Sequence, residues 1–263
     1  MHRLAMTMAV AILATVGTSA AAEDTATNRV TKDLEFVLKT TKVLPQAIVS
    51  STNVADAAQF IKGKPVLLKP SQGAAEIILD FGRELVGTIQ FNVNAETNSR
   101  LEVWYGEGLQ EVFRNGEYAA RWYKRPRDHM DVPKGPKALH NQGRRAFRYV
   151  RMIVPDGRGP LSLESVVVTH QHYPVNEEGS FSCSDPQVNK IWDLCVYTTK
   201  LCMQQWYEDG IKRDGLLWVS DYRVQYLCNT LAFGDRDLAR KSLLLTAASQ
   251  FPDSGAIPAQ ASR

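Results

Sequence analysis

The chain has 263 residues, with 31 Lys plus Arg set against 28 Asp plus Glu, a formal net charge of +3 and 44% hydrophobic residues. Charges of both signs run throughout, so composition singles out neither nucleic acid nor an acidic partner. Beyond the first 22 residues no stretch approaches the roughly 20 apolar residues that a transmembrane helix requires.

Met1-His2-Arg3 is a short basic start, residues 4–16 are apolar, and Ala20-Ala21-Ala22 supplies small residues before Glu23-Asp24. This is the pattern of a secretory signal over residues 1–22, cleaved after Ala22, with an uncleaved anchor as the competing reading. The mature protein is expected to be exported, periplasmic or extracellular, with no membrane association after cleavage. Residues 23–71 show no clear period apart from a short helical pattern at 54–61.

From about residue 66 to 173 apolar residues recur at every second position. Ile77, Leu79 and Phe81 form one set, Ile89, Phe91 and Val93 a second, Leu101, Val103 and Tyr105 a third. Leu161 with Leu163 and Val166 with Val168 continue it. Alternation of this kind marks half-buried strands, and the Gly, Pro, Asn and Asp residues between them mark turns. Residues 72–174 are therefore expected to form an antiparallel β-sandwich or jelly roll. Two basic stretches lie within it, at residues 121–127 and 144–151. Each could be offered as a nucleic-acid surface, but export argues against that partner. The second reads as a strand with Phe147 and Tyr149 on one face and Arg148 and Val150 on the other. His170 and His172 alternate at a strand end, where metal ligation competes with ordinary satisfied histidines.

After Pro174 the period becomes helical. Asp185 offers an N-cap with Pro186 just inside, and Val188, Ile191, Trp192, Cys195, Thr199, Cys202 and Trp206 follow at spacings of three and four. A first helix is expected over residues 186–206. A second carries Tyr222, Gln225, Cys228 and Leu231 and stops at Gly234. Asp235 caps a third, with Leu238, Leu243 and Leu245 on its apolar face. Short loops would stack the three antiparallel. Four cysteines, Cys183, Cys195, Cys202 and Cys228, permit disulfides in an exported protein. Cys195 and Cys202 share a helix about 10 Å apart by helix rise, beyond disulfide reach. A bridge from Cys228 to either remains open, and nothing has zinc-ligand spacing.

Between the first two helices lies Tyr207-Glu208-Asp209-Gly210-Ile211-Lys212-Arg213-Asp214-Gly215-Leu216-Leu217-Trp218-Val219-Ser220-Asp221. Hydrolysis of a glycosidic bond needs a carboxyl that protonates the leaving oxygen, further carboxylates that hold hydroxyls, and an aromatic face for the apolar side of a sugar ring. This segment supplies all three. A charged connecting loop is the competing reading. So is helix capping for Asp209 and Asp221, and core packing for Trp206 and Trp218.

The same segment resembles the loop after the first barrel helix of bacterial alpha-L-rhamnosidases. There an Asp is followed by an Arg with an acidic neighbour, an aromatic residue and a second Asp. Asp209, Arg213 with Asp214, Trp218 and Asp221 stand here in that order. The resemblance implies Asp214 as general acid, with Asp209, Arg213, Trp218 and Asp221 binding substrate and no cofactor or metal. The family's acid is typically Glu, and Asp214 sets its carboxyl on the order of 1.5 Å further back. Partial burial among Asp209 and Asp221 would raise its pKa. Residues 78–87, Tyr105-Gly106-Glu107 and residues 147–150 resemble strands of the sandwich that precedes the barrel.

The resemblance covers the chain from about Ala74 onward. It implies a jelly roll leading into an (α/α)6 toroid, of which residues 175–263 hold about three helices. A twelve-helix toroid needs well over 200 residues at ordinary element lengths. The chain is accordingly expected to be the N-terminal part of a longer enzyme or a truncated product. The water-activating carboxylate of an inverting site has no counterpart in it, so the fragment alone is expected to be nearly inactive. A glycoside or oligosaccharide is the expected partner, and oligomeric state is left open. The alternatives are a non-catalytic carbohydrate-binding protein, using sandwich aromatics such as Trp104, Trp122 and Tyr123, and a scaffold module.

Overall fold

The computed structural model describes residues 35–113 and 127–261. The leader pattern, Trp122, Tyr123 and most of the first basic stretch lie outside them. Nine strands follow in order: β1 (Lys39–Val43), β2 (Ala47–Thr52), β3 (Val66–Leu68), β4 (Ala75–Ala95), β5 (Ser99–Gly106), β6 (Arg127–Val132), β7 (Gly135–His140), β8 (Arg145–Val154) and β9 (Leu161–His172). A 3-10 turn spans Ala57–Lys62, and a short helix, α1 (Leu109–Phe113), follows β5. Three longer helices close the series: α2 (Pro186–Cys202), α3 (Val219–Ala232) and α4 (Asp237–Ala248).

The strands form one curled antiparallel sheet. The curl comes from β4, whose 21 residues serve two sets of partners. Its first half pairs with β2 and β8, its second with β7 and β9. The handover falls at Gly87, opposite both Arg145 and His170. A Cβ there would stand 2.0 Å from the carbonyl oxygen of Thr169, so the two strands can meet only over a residue without one. Residues without a clear sequence period contribute β1, β2 and β3, which fill the sheet edges.

Apolar residues of both halves meet inside the curl. Ile77, Leu79, Phe81, Leu85, Ile89, Phe91, Phe147, Met152 and Val168 are fully buried there. Phe81 and Phe147 meet edge-on with centroids 5.7 Å apart, and Tyr105 lies 5.6 Å from Phe147. Between Asp80 and Leu85 the register of β4 against β8 breaks, so that Phe81-Gly82-Arg83-Glu84 bulges against Arg148 alone. A break of this size resets the alternation. Phe147 and Val150 therefore both enter the core, while Tyr149 packs outside with Ile78 and Trp104. The expected sharing of one face by Phe147 and Tyr149 does not hold. Asp80 fixes the bulge, accepting Gly82 N–H at 2.7 Å and a two-pronged Arg148 guanidinium at 2.8 Å on each oxygen. That guanidinium holds the Asp80 carboxyl below its ordinary range.

The capping signals at Asp185, Gly234 and Asp235 act as the sequence indicates, whereas α3 begins at Val219, ahead of Asp221. Asp185 accepts Gln187 N–H at 2.8 Å with Pro186 at the first position. Gly234 ends α3 at φ +66, its N–H bonded to Asn229 O at 2.9 Å. Asp235 accepts Leu238 N–H at 3.1 Å and so caps α4 from just outside its first turn. One end differs. The period of α2 continues to Trp206, but the helix stops at Cys202, because Met203 turns extended and its carbonyl accepts Tyr173 N–H at 2.8 Å from beyond β9. The α2–α3 connection therefore runs from Met203 to Trp218. Tyr173, Met203, Tyr207, Leu217, Phe233 and Leu238 form the helical core, separate from the sheet core.

Truncation of Phe147 removes the ring on which Phe81 and Tyr105 both pack. Phe147→Ala is expected to lower unfolding stability in urea by about 3–5 kcal/mol, with the m-value unchanged.

Candidate functional site

The connection between α2 and α3 is held at both ends. Tyr207 is fully buried in the helical core, its hydroxyl accepting Asn229 Nδ2–H at 2.6 Å and its ring stacked on Tyr222. Leu217 is buried too, and its carbonyl accepts Ala261 N–H at 3.0 Å, while Val219 N–H donates to Ala259 O at 2.8 Å. Between these anchors Asp209 and Leu216 close a smaller loop. Asp209 N–H donates to Leu216 O at 3.0 Å, and Asp209 Oδ1 accepts Leu216 N–H at 2.9 Å. Asp209 is thus partly committed to the backbone. Burial raises its pKa, with the nearby Asp214 and Asp221 charges acting in the same direction and the Leu216 and Gly210 amides opposing.

At the tip two successive residues take left-handed backbone, Asp214 at φ +55 and Gly215 at φ +66. Gly215 N–H donates to Arg213 O at 2.7 Å and Gly210 O at 3.1 Å. Aspartate tolerates this conformation better than glutamate, because its short side chain can bond locally and crowds the turn less. The turn therefore rationalises aspartate at this position. Asp214 is exposed, not buried between Asp209 and Asp221 as expected, and the carboxyl raised by burial is that of Asp209. Arg213 Nε stands 3.7 Å from Asp214 Oδ1. Asp221 lies in the first turn of α3 and accepts Ser220 Oγ–H at 2.9 Å; the N-cap position belongs to Trp218. The Trp218 indole N–H is buried with no acceptor among the described residues, whereas Trp206 packs against the helical core.

Glu208 and Lys212 join this loop to the sheet. Glu208 is buried and takes both prongs of Arg144, from the β7–β8 turn, at 2.8 and 2.6 Å. Its carbonyl accepts Gln225 Nε2–H from α3 at 2.7 Å. Lys212 pairs with Glu111 of α1 and lies 3.6 Å from Glu107. Neither role was legible in the sequence, because each partner lies at least 64 residues away. An open cleft of about 660 Å³ runs beside these contacts, lined by Arg83, Glu84, Glu107, Tyr197, Asp209 and Arg213. Burial, reinforced by Glu107, pushes the Glu84 carboxyl up to about 8, against the pull of Lys212. Asp214, Trp218 and Asp221 do not line this cleft.

The other sequence candidates resolve simply. His170 and His172 are buried, with Nδ1 atoms 2.9 Å from Val86 O and 2.6 Å from Tyr173 O, and burial lowers both pKa values. Among the described residues no group of His, Cys, Asp or Glu side chains is arranged to hold a metal ion. All four cysteines are free, and burial pushes the Cys202 thiol up to about 12. Trp104 is covered by α1 and by Arg127, whose guanidinium lies 4.9 Å from its ring, so it offers no face to a sugar.

The bacterial alpha-L-rhamnosidase concanavalin-like domain matches residues 71–169, and the bacterial alpha-L-rhamnosidase 6 hairpin glycosidase domain matches residues 176–262. The first covers the curled sheet, the second the helices and their acidic connection. The chain belongs to the bacterial alpha-L-rhamnosidase family. A rhamnosidase from Klebsiella oxytoca, solved with rhamnose bound, superposes with a TM-score of 0.73 at 24% identity, over 88% of this chain and 48% of that one. A Bacillus rhamnosidase gives 0.66 at 27% identity, over 74% and 20%. A Streptomyces avermitilis alpha-L-rhamnosidase complexed with L-rhamnose gives 0.62 at 18%, over 87% and 20%. The chain thus spans about half the length of the first rhamnosidase and a fifth of the other two. No curated protein sequence matches it.

The Glu84 carboxyl has a folded-state pKa above its unfolded value, so the folded state binds the extra proton and this group's stabilising contribution is lost as pH rises from about 4.5 through about 8. Glu84→Gln is therefore expected to match the wild type near pH 4.5 and to exceed it at pH 8.5 by on the order of 2 kcal/mol in urea unfolding. A difference independent of pH would show that Glu84 is ionised in the folded protein.

Proposed function

We propose that residues 207–221 form the proton-donor side of a glycoside hydrolase site that takes an α-L-rhamnoside. What carries the reading is the order and spacing of Asp209, Arg213, Asp214, Trp218 and Asp221 along one doubly anchored connection and the first turn of the helix that follows it, within a chain matched by both family domains. In this reading the curled sheet is the jelly roll of the parent architecture, and α2 to α4 are the first helices of an (α/α)6 toroid. The leader pattern at residues 1–22 supports export.

In the reaction Asp214 gives its proton to the glycosidic oxygen as the bond to the anomeric carbon breaks, and water attacks that carbon from the opposite face. The water's proton passes to a second carboxylate, which in this reading lies outside these 263 residues. These residues alone therefore bind a rhamnoside and turn it over slowly. Asp209 and Asp221 accept hydrogen bonds from ring hydroxyls, Arg213 donates to them, and Trp218 stacks on the apolar edge of the sugar.

Titration calorimetry of the full chain with L-rhamnose tests this directly. Asp209→Ala and Arg213→Ala are each expected to weaken binding about tenfold. Asp214→Asn is expected to leave affinity within about threefold while lowering aryl α-L-rhamnoside hydrolysis by 100-fold or more. Affinity unchanged by all three variants would place the sugar elsewhere.

A further inference from the structure

We infer that Arg144, contributed by the sheet, is a positioning residue for the acidic loop. This inference rests on the reading of that loop as a sugar site. Arg144 stands on a turn with little freedom. The neighbouring Asn141 is buried, its Oδ1 accepting Ile89 N–H at 2.8 Å, its N–H donating to Ile89 O at 3.2 Å and its Nδ2–H donating to Gly143 O at 2.8 Å. From that fixed base the guanidinium forks onto both oxygens of Glu208, whose side chain is 6% exposed. Asp209 follows Glu208 directly in the chain.

The pair also underlies the far side of the loop. A Cβ at Gly215 would lie 3.4 Å from Arg144 Nη2 and 3.6 Å from Glu208 Oε2, so the two charged groups lie beside the Asp214–Gly215 turn, about one side-chain atom away from its backbone. One ion pair thus holds the loop at the residue before Asp209 and flanks it at the residue after Asp214. It sets the separation between the hydroxyl-binding carboxylate and the acid. Lys212, paired with Glu111, repeats the tie midway along the loop. A planar fork fixes both distance and orientation, which a lysine ammonium in the same place does not.

The test uses the full chain with Arg144→Met and Arg144→Lys, both first shown by circular dichroism to be folded. Backbone amide exchange is read at Gly215 and Leu216, with Ile78 in β4 as reference. In Arg144→Met the two loop amides are expected to exchange about tenfold faster than in the wild type while Ile78 is unchanged. The dissociation constant for L-rhamnose is expected to rise about tenfold in the same variant, with Arg144→Lys intermediate in both readouts. Loop amides unaffected in Arg144→Met overturn the inference. So does accelerated exchange with unchanged rhamnose affinity, which would make Arg144 merely structural. A wild-type chain that binds no rhamnose defeats the functional reading instead, and loop exchange alone then decides whether Arg144 holds the turn.

Discussion

The bidentate contact between Arg144 and Glu208 is the constraint on which the candidate site depends. It ties the sheet, whose core lies inside the curl, to the connection between the helices, whose core is a second cluster. A buried ion pair adds little net stability over well-packed apolar residues, but loss of either partner leaves an uncompensated charge at a cost of about 3–5 kcal/mol. Its value lies in direction. The guanidinium fork accepts one geometry, and that geometry places the acidic loop relative to the sheet. Apolar contacts beneath it, where Leu201 meets Val86 and Ala146, supply contact area without orientation.

The sheet also meets α2, through an irregularity of β4. Its bulge turns Arg83 and Glu84 out of the strand toward α2, where Tyr197 donates its hydroxyl proton to the Glu84 carbonyl and lies under the Arg83 guanidinium at 4.9 Å. The same bulge leaves the Glu84 carboxyl in a desolvated corner beside Glu107, which explains why it holds its proton. The departure from regular strand pairing thus creates both the docking surface for the helices and the one strongly perturbed carboxyl beside the cleft. The Asp214 turn follows the same logic on a smaller scale: the left-handed backbone presents a short carboxylate outward, and it continues through the next position at φ +66, where glycine is the residue that adopts it without strain.

Much of this was legible in the sequence wherever the signal is local. Asp185 with Pro186, and Gly234 with Asp235, mark helix ends through bonds made within a few residues, and alternation along β4, β5 and β9 marks the core face. The loop itself was legible as a set of residue types at fixed spacing. What was not legible depends on distant partners. The end of α2 is set by a carbonyl bond to Tyr173, 30 residues earlier in the chain, against a helical period that runs on. The two faces of β8 are set by a bulge in a strand 68 residues away. Glu208 sits among more conspicuous carboxylates, and only the fold brings Arg144 to it. Trp104, attractive as a sugar platform in the sequence, is covered by a helix five residues long.

The most direct measurement is a double-mutant cycle on urea-unfolding stability with Arg144→Met, Glu208→Leu and both together. If the sheet holds the loop through this pair, the double variant is more stable than the sum of the single losses predicts, by about 2 kcal/mol or more, because removing both charges leaves neither unpaired. Losses that add to within about 0.5 kcal/mol would mean that the two side chains act independently and that the loop is placed by other contacts.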